Sequence, residues 1–213
     1  MCTMSNFCSF NFLNNYSYNF GTLFAFVLLM RISIVFISLF VLLISAKQLP
    51  PRGDEGYNTF FTWSANKKLT WSDFQGKAMD NTAEVAMTAS SVEFSYYTKN
   101  GQLSWIVTSK YFPKLSWSKK NLQSDYILKH EQLHFDITEL YARLFRKRLT
   151  ESVKSINDID KMKSISKQIM KEWNDEENDY DKETMHSTDA KKQAEWNLNM
   201  QQRLDALKEF ASK

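Results

Sequence analysis

The run SDYILKHEQLHFDITELYARL at positions 124–144 decides the fold that the sequence predicts. Ser124 is a residue type that caps helix starts, and the basic residues at 146–148 suit the negative end of a helix dipole. Between them, apolar side chains recur at steps of three and four residues, which is the pattern of a helix with one buried face. The apolar positions are Ile127, Leu128, Leu133, Ile137, Leu140, Tyr141 and Leu144. We therefore predict a long amphipathic helix that ends near residue 148.

This helix contains two histidines that are four residues apart, His130 and His134, with Glu131 between them. Residues at i and i+4 lie one turn apart on the same helix face, so both imidazoles can reach one ion. Zn²⁺ suits two imidazoles, and Glu131 is placed to reach a water on the metal rather than the metal itself. This His-Glu-x-x-His spacing is the zincin metalloprotease pattern. We predict His130 and His134 as zinc ligands and Glu131 as the catalytic base and acid.

A catalytic zinc needs a third protein ligand, which the helix itself does not supply. The metzincin pattern requires Gly and His downstream of the second histidine, but Ile137 and Leu140 occupy those positions. The remaining histidine, His186, is expected in a loop between the second and last helices that could return it to the ion. We predict His186 as the third ligand. The alternative is a glutamate of a later helix, and the candidates are Glu172, Glu176, Glu177 and Glu183.

Upstream of the helix, the sequence predicts an antiparallel hairpin. Residues 83–98 and 102–112 are rich in β-branched and aromatic side chains, and Asn100-Gly101 lies between them. Asn-Gly favours a two-residue turn, which would place Tyr96 opposite Trp105 and leave one face apolar. A short strand at 60–63 and two further helices, from about 157 to 176 and from about 190 to 210, complete the pattern. The predicted fold class is α+β and zincin-like: an N-terminal hairpin or sheet packs on about three helices.

The first 46 residues differ in composition from the rest of the chain. The sequence has 27 basic and 24 acidic residues, yet Arg31 is the only charged residue before Lys47. A 14-residue apolar run at 32–45 follows Arg31 and precedes Ala46, which is typical of a secretory signal peptide and short of the roughly 20 residues of a membrane span. We predict an upstream extension plus signal peptide at 1–46, with translation starting at Met30. The alternative is an uncleaved N-terminal segment that tethers the protein to a membrane.

After the signal peptide we predict a linker at 47–58 and one metallopeptidase domain at 59–213. Both cysteines lie before residue 47, so the domain is expected to fold without disulfides. The formal net charge of +3 does not indicate nucleic acid as a partner. A peptide or protein substrate is the predicted partner, and the sequence does not define an oligomeric state.

Three segments resemble a bacterial family of unassigned function, whose members are described as predicted secreted zinc-dependent proteases. They are the run at 128–137, the segment at 180–186 followed by Gln193, Trp196 and Asn197, and the stretch at 69–76. The resemblance covers about residues 60–205. It leads us to expect Gly after His186, where this chain has Ser187. It implies a metallopeptidase by motif rather than by a known substrate.

The sequence thus predicts an exported, periplasmic or extracellular zinc peptidase that hydrolyses peptide bonds with a metal-activated water. A second hypothesis is a non-catalytic envelope protein, either with a structural zinc site or with a degenerate protease fold used for binding. Glu131 distinguishes the two, because a structural zinc site gains nothing from a carboxylate beside an open metal position.

Overall fold

The computed structural model describes residues 56–99 and 102–212. The predicted α+β class is confirmed: small antiparallel sheets precede three long helices. The predicted signal segment at 1–46 and most of the 47–58 linker lie outside the described residues. The strands are β1 (Phe61–Thr62), β2 (Ala86–Met87), β3 (Ser90–Lys99), β4 (Gln102–Tyr111) and β5 (Trp117–Ser118), and the helices are α1 (Asp125–Ser152), α2 (Ile159–Glu183) and α3 (Ala190–Ala206).

The hairpin has the register that the Asn-Gly pair predicts. Strands β3 and β4 are antiparallel, and Tyr96 lies opposite Trp105. Strand β1 pairs with the far end of β4, which gives the sheet order β1-β4-β3. The prediction of a single strand at 83–98 is wrong in one respect. The strand is interrupted at residues 88–89, and its first part, β2, pairs with β5 rather than with β4. At this interruption the Ala89 N–H donates to the Ser116 hydroxyl instead of to a neighbouring strand. The two parts, β2 and β3, therefore belong to different sheets.

Helix α1 begins as predicted, since the Ser124 hydroxyl accepts a hydrogen bond from the Ile127 N–H. It continues four residues beyond the predicted end at 148. The second helix was predicted to end near 176, but α2 continues to Glu183. Residues 180–183 therefore belong to a helix rather than to the interhelix loop that the sequence predicted. This extension places Asp181 on a rigid element.

The main core surrounds α1, which contacts β3 and β4 as well as α2 and α3. Phe145 of α1 is fully buried, and its ring lies 4.8 Å from that of Phe94 on β3. Burying a large apolar side chain of this kind contributes about 2–3 kcal/mol. A second cluster joins Phe135 of α1 to Tyr111 of β4, with ring centroids 5.4 Å apart. Helix α1 is thus held on several sides, which fixes the direction of its polar residues.

Within residues 56–99 and 102–212, no helix combines the length and apolarity that a membrane crossing requires.

Candidate metal centre

Helices α1 and α2 bring three potential metal ligands together. His130 and His134 project from α1, and Asp181 projects from the last turns of α2. The two Nε2 atoms are 3.2 Å apart, and Asp181 Oδ1 lies 3.3 Å from His130 Nε2 and 3.1 Å from His134 Nε2. These three atoms therefore form a nearly equilateral triangle at the edge of the core. Both histidines are only 4 % exposed.

The size of this triangle fits a small tetrahedral cation. With Zn–N and Zn–O bonds of about 2.0–2.2 Å, two ligands of a tetrahedral zinc lie about 3.3 Å apart. The three edges of 3.1–3.3 Å match that spacing. Two imidazole nitrogens and one carboxylate oxygen are also the donor types of a catalytic zinc site with a position left open. The residues present therefore fit Zn²⁺, while the donor set does not itself identify the metal.

Each imidazole uses its other nitrogen to contact a buried acceptor. His134 Nδ1 lies 2.5 Å from Oε2 of Glu177, which is on α2 one turn before Asp181. His130 Nδ1 lies 2.9 Å from Oε1 of Gln193 on α3. A carboxylate contact of this kind orients the ring and increases its basicity as a ligand. When His134 is neutral, the contact with Glu177 favours the proton on Nδ1, and the lone pair of Nε2 is then directed at the triangle.

Burial and charge act in opposite directions on these groups. Burial alone raises the pKa of Asp181, but the imidazoles of His130 and His134 hold it well below its usual range. Burial lowers the pKa of His134, and the carboxylates of Glu177 and Asp181 more than reverse this effect and raise it. For Glu177, burial raises the pKa. In the protein without metal, Glu177 and Asp181 of α2 thus stabilise positive charge on His134, beside the position that a cation would take.

Glu131 follows His130 on α1 and is buried, with 4 % of its surface exposed. The hydroxyl of Thr88, at the break between β2 and β3, lies 2.7 Å from Glu131 Oε2 and donates to it. The same hydroxyl lies 3.1 Å from the Glu131 main-chain oxygen. One carboxylate oxygen is thereby fixed by the sheet, whereas the motif spacing alone predicted only that Glu131 is near the metal position.

His186 lies in the turn between α2 and α3. Its side chain is 62 % exposed, and Nδ1 lies 3.6 Å from Asp181 Oδ2, the oxygen that does not face the other two imidazoles. Met185, His186 and Ser187 all have positive φ, between 49° and 70°. Ser187 thus occupies, at φ 70°, the left-handed conformation that glycine adopts without strain, at the position where the resemblance leads us to expect Gly. The structure places His186 beside Asp181 but outside the triangle.

The four candidate glutamates all have other partners. Glu177 contacts Nδ1 of His134, which is the nitrogen directed away from the triangle. The others form bonds within the helix bundle: Glu172 with Arg148, Glu176 with Tyr141 and Arg203, and Glu183 with Trp196.

Three side chains at the centre have roles that the motif did not reveal: Asp181, Gln193 and Thr88. Asp181 lies one turn after Glu177 on α2, but the sequence predicted that this helix ends near residue 176, so no helical spacing indicated it. Gln193 belongs to a segment that carried only the family resemblance. Thr88 had no signal, since a hydroxyl in a predicted strand is ordinary.

Three further side chains that project from α1 and α2 also have defined partners. Asp136 accepts hydrogen bonds from Trp63 and Gln132 instead of from a histidine. The Thr138 hydroxyl donates to the main-chain oxygen of His134. Tyr180 is fully buried, with its ring stacked on His130 at 4.7 Å, as a packed aromatic.

The comparisons with known proteins give one match. A family model described as "Bacterial protein of unknown function (DUF922)" matches residues 50–187, which include α1 and α2 with their three ligand candidates. The match agrees with the bacterial family that the sequence resembles. No curated protein and no solved structure matches the chain significantly.

Proposed function

Because the chain belongs to this bacterial family of unknown function, we propose its function from the metal centre: an exported, zinc-dependent peptidase. The observation that carries the proposal is the triangle of His130, His134 and Asp181, together with the buried carboxylate of Glu131, the residue directly after His130 on α1. A zinc site that serves only structure is normally closed by four protein ligands and has no use for such a carboxylate. The apolar run at 32–45 after Arg31 supports export.

In this proposal His130, His134 and Asp181 hold the zinc. The bound ion would supply the Lewis acidity that polarises a substrate carbonyl and makes water nucleophilic near neutral pH. Glu131 takes the proton from the attacking water and then gives it to the leaving amine. Thr88 holds one oxygen of Glu131, so the other oxygen is the one that moves the proton. Glu177 keeps the proton of His134 on Nδ1 throughout.

An extended peptide is the substrate that the sheet favours. Strand β4 lies between β1 and β3, whereas β3 has a strand neighbour on one side only in the part of the chain that the structure describes. A peptide can add to such an edge through main-chain hydrogen bonds. Strand β3 starts two residues after Thr88, which contacts Glu131. We therefore favour β3 as the strand that pairs with an extended substrate.

Replacing Glu131 with Gln tests the enzyme proposal. Glu131→Gln keeps the size and the acceptor for Thr88 but cannot take a proton, so zinc content should stay the same while cleavage falls by at least about 100-fold. The assay is chelator-sensitive cleavage of a broad peptide library by the wild type and the variant. Absence of cleavage by the zinc-loaded wild type would favour the non-catalytic envelope protein.

Zinc stoichiometry of alanine variants tests the ligand set. We expect Asp181→Ala to lose zinc and His186→Ala to keep it. Glu177→Ala should retain zinc with weaker affinity, because it removes a partner of a ligand rather than a ligand. Full zinc in Asp181→Ala together with loss in His186→Ala would restore His186, the ligand that the sequence predicted.

A further inference from the structure

Gln193 of α3 contacts one ligand candidate of the metal centre, His130. It is only 2 % exposed, and its side-chain oxygen receives two contacts. His130 Nδ1 lies 2.9 Å from Oε1, and the Tyr180 hydroxyl donates to the same oxygen at 2.8 Å. Gln193 thus takes for His130 the place that Glu177 takes for His134, but with a neutral amide.

The orientation of the Gln193 amide is defined by its other end. Nε2 of Gln193 donates to Oδ1 of Asn197, one turn later on α3, at 3.0 Å. The oxygen must then face His130, and an amide oxygen can only accept a hydrogen bond. His130 therefore carries its proton on Nδ1. In the neutral imidazole this leaves a lone pair on Nε2, the atom that faces Asp181 and His134, and that form binds a metal.

Tyr180 fixes the plane of the same ring. Its aromatic ring stacks on His130 at an interplanar angle of 23°, and its hydroxyl contacts both Gln193 and the main-chain oxygen of His130. Rotation of the imidazole would break the Gln193 contact and this stacking together. The direction of the His130 ring thus depends on Gln193 and Tyr180 together, and its tautomer depends on the Gln193 amide.

We propose that Gln193 is a positioning residue of the metal centre: it selects the Nδ1–H tautomer of His130 and thereby sets the metal affinity. The inference rests on the proposed function, because it concerns the same ion. It extends the centre to a third helix, beyond residue 187 where the family match ends. It also predicts that α3 must be docked before the site binds metal tightly.

The test compares Gln193→Met with Gln193→Glu in the whole protein. Methionine keeps the approximate volume and removes the acceptor, so zinc should bind about 10–100-fold more weakly. Glutamate keeps the acceptor and should bind zinc at least as tightly as the wild type. Gln201→Met, at an exposed position of the same helix, is the control and should leave zinc affinity unchanged. Affinity is measured by competition with a chromogenic chelator.

A second readout uses no enzyme activity and no metal. Nitrogen-15 NMR of the imidazoles in the metal-free protein should show a protonated Nδ1 on His130 in the wild type and in Gln193→Glu. In Gln193→Met the proton should move to Nε2, where it can be donated to Asp181. If Gln193→Met does not fold, Asn197→Ala takes its place in this experiment. This variant changes an exposed residue and removes the acceptor of the Gln193 Nε2 hydrogen bond, so it should shift the His130 tautomer in the same direction.

The outcomes separate the two proposals. A wild type that binds no zinc would overturn the proposed function. Zinc binding by the wild type with equal affinity and an unchanged tautomer in Gln193→Met would overturn the role of Gln193 alone. If Gln193→Met does not fold, an unchanged His130 tautomer in Asn197→Ala would overturn it as well.

Discussion

At the scale of single residues, the carboxylate of Glu131 depends on one hydroxyl from the sheet. Thr88 is 1 % exposed, and its hydroxyl donates to Glu131 Oε2 at 2.7 Å. A buried carboxylate without a donor loses its water and gains nothing in return. This contact also joins the segment between β2 and β3 to α1. It therefore links the Glu131 carboxylate to β3, the strand that we propose as the binding site of the substrate.

We predict that Thr88→Val destabilises the fold. Valine has the same shape but no hydroxyl, so the free energy of unfolding should fall by about 1.5–3 kcal/mol, the usual contribution of a hydrogen bond to a charged group. Urea titration of the metal-free protein measures the change. Thr88→Ser keeps the hydroxyl and should lose only about 1 kcal/mol for the missing methyl group. Equal losses in the two variants would contradict a role for the hydroxyl.

The sequence was sufficient for the part of the centre that lies on one helix. His130 and His134 share a face because the helical repeat requires it, whatever the rest of the fold does. Asp181 is a different case, since its position depends on α2 continuing to Glu183 and on how α2 packs against α1. No local pattern contains that information, and the sequence therefore favoured His186, a more typical zinc ligand.

At the scale of elements, α1 is attached to the C-terminal segment through a buried ionic cluster. Glu139 is 1 % exposed, accepts from the Ser109 hydroxyl at 2.6 Å, and pairs with Arg143 at 2.9 Å. Arg143 also donates to the main-chain oxygen of Leu204, at the end of α3. The cluster therefore connects β4, α1 and α3 through one carboxylate.

We predict that Glu139→Gln lowers the free energy of unfolding by about 3–5 kcal/mol, because it leaves the buried Arg143 guanidinium without its counter-charge. Denaturant unfolding of the metal-free protein measures this loss. Lys147 and Glu151 form an exposed pair on the same helix, and Glu151→Gln is the matched control, with an expected change of at most about 0.5 kcal/mol. A loss in Glu139→Gln as small as in the control would show that the cluster does not hold α3.

Elements were predictable where local chemistry defines them. The Asn-Gly pair determined the register of β3 and β4, and Ser124 determined the start of α1. Helix ends were not predictable in the same way. Arg148 was expected near the end of α1, yet it bonds to Glu172 of α2 inside a longer helix. Such contacts between helices extend both partners and lie outside any short sequence window.

At the scale of the whole molecule, the centre links segments that are far apart along the chain. The two histidines come from α1, Asp181 comes from α2, and Gln193 supports the site from α3. Unfolding would separate these groups, so an ion that binds all of them binds the folded state far better than the unfolded chain. The free energy of metal binding then adds to the stability of the whole domain.

We therefore predict that zinc raises the midpoint of thermal unfolding. At a free zinc concentration of about 100 times the dissociation constant, the gain is about 2.7 kcal/mol, which corresponds to about 5–10 °C for a domain of this size. Thermal scans at increasing zinc concentration measure the shift, and a chelator should reverse it. Mg²⁺ prefers oxygen ligands and should have little effect.

Asp181→Asn is the matched control for this experiment, because it keeps the shape of the third ligand and removes its charge. Its midpoint should respond to zinc much less than that of the wild type, whereas His186→Ala should respond fully. A wild-type midpoint that does not change across the zinc titration would contradict a metal centre in this triangle. An undiminished response in Asp181→Asn would instead indicate that zinc binds the two histidines without this carboxylate, and His186 on the other side of Asp181 would then be the nearest imidazole to replace it.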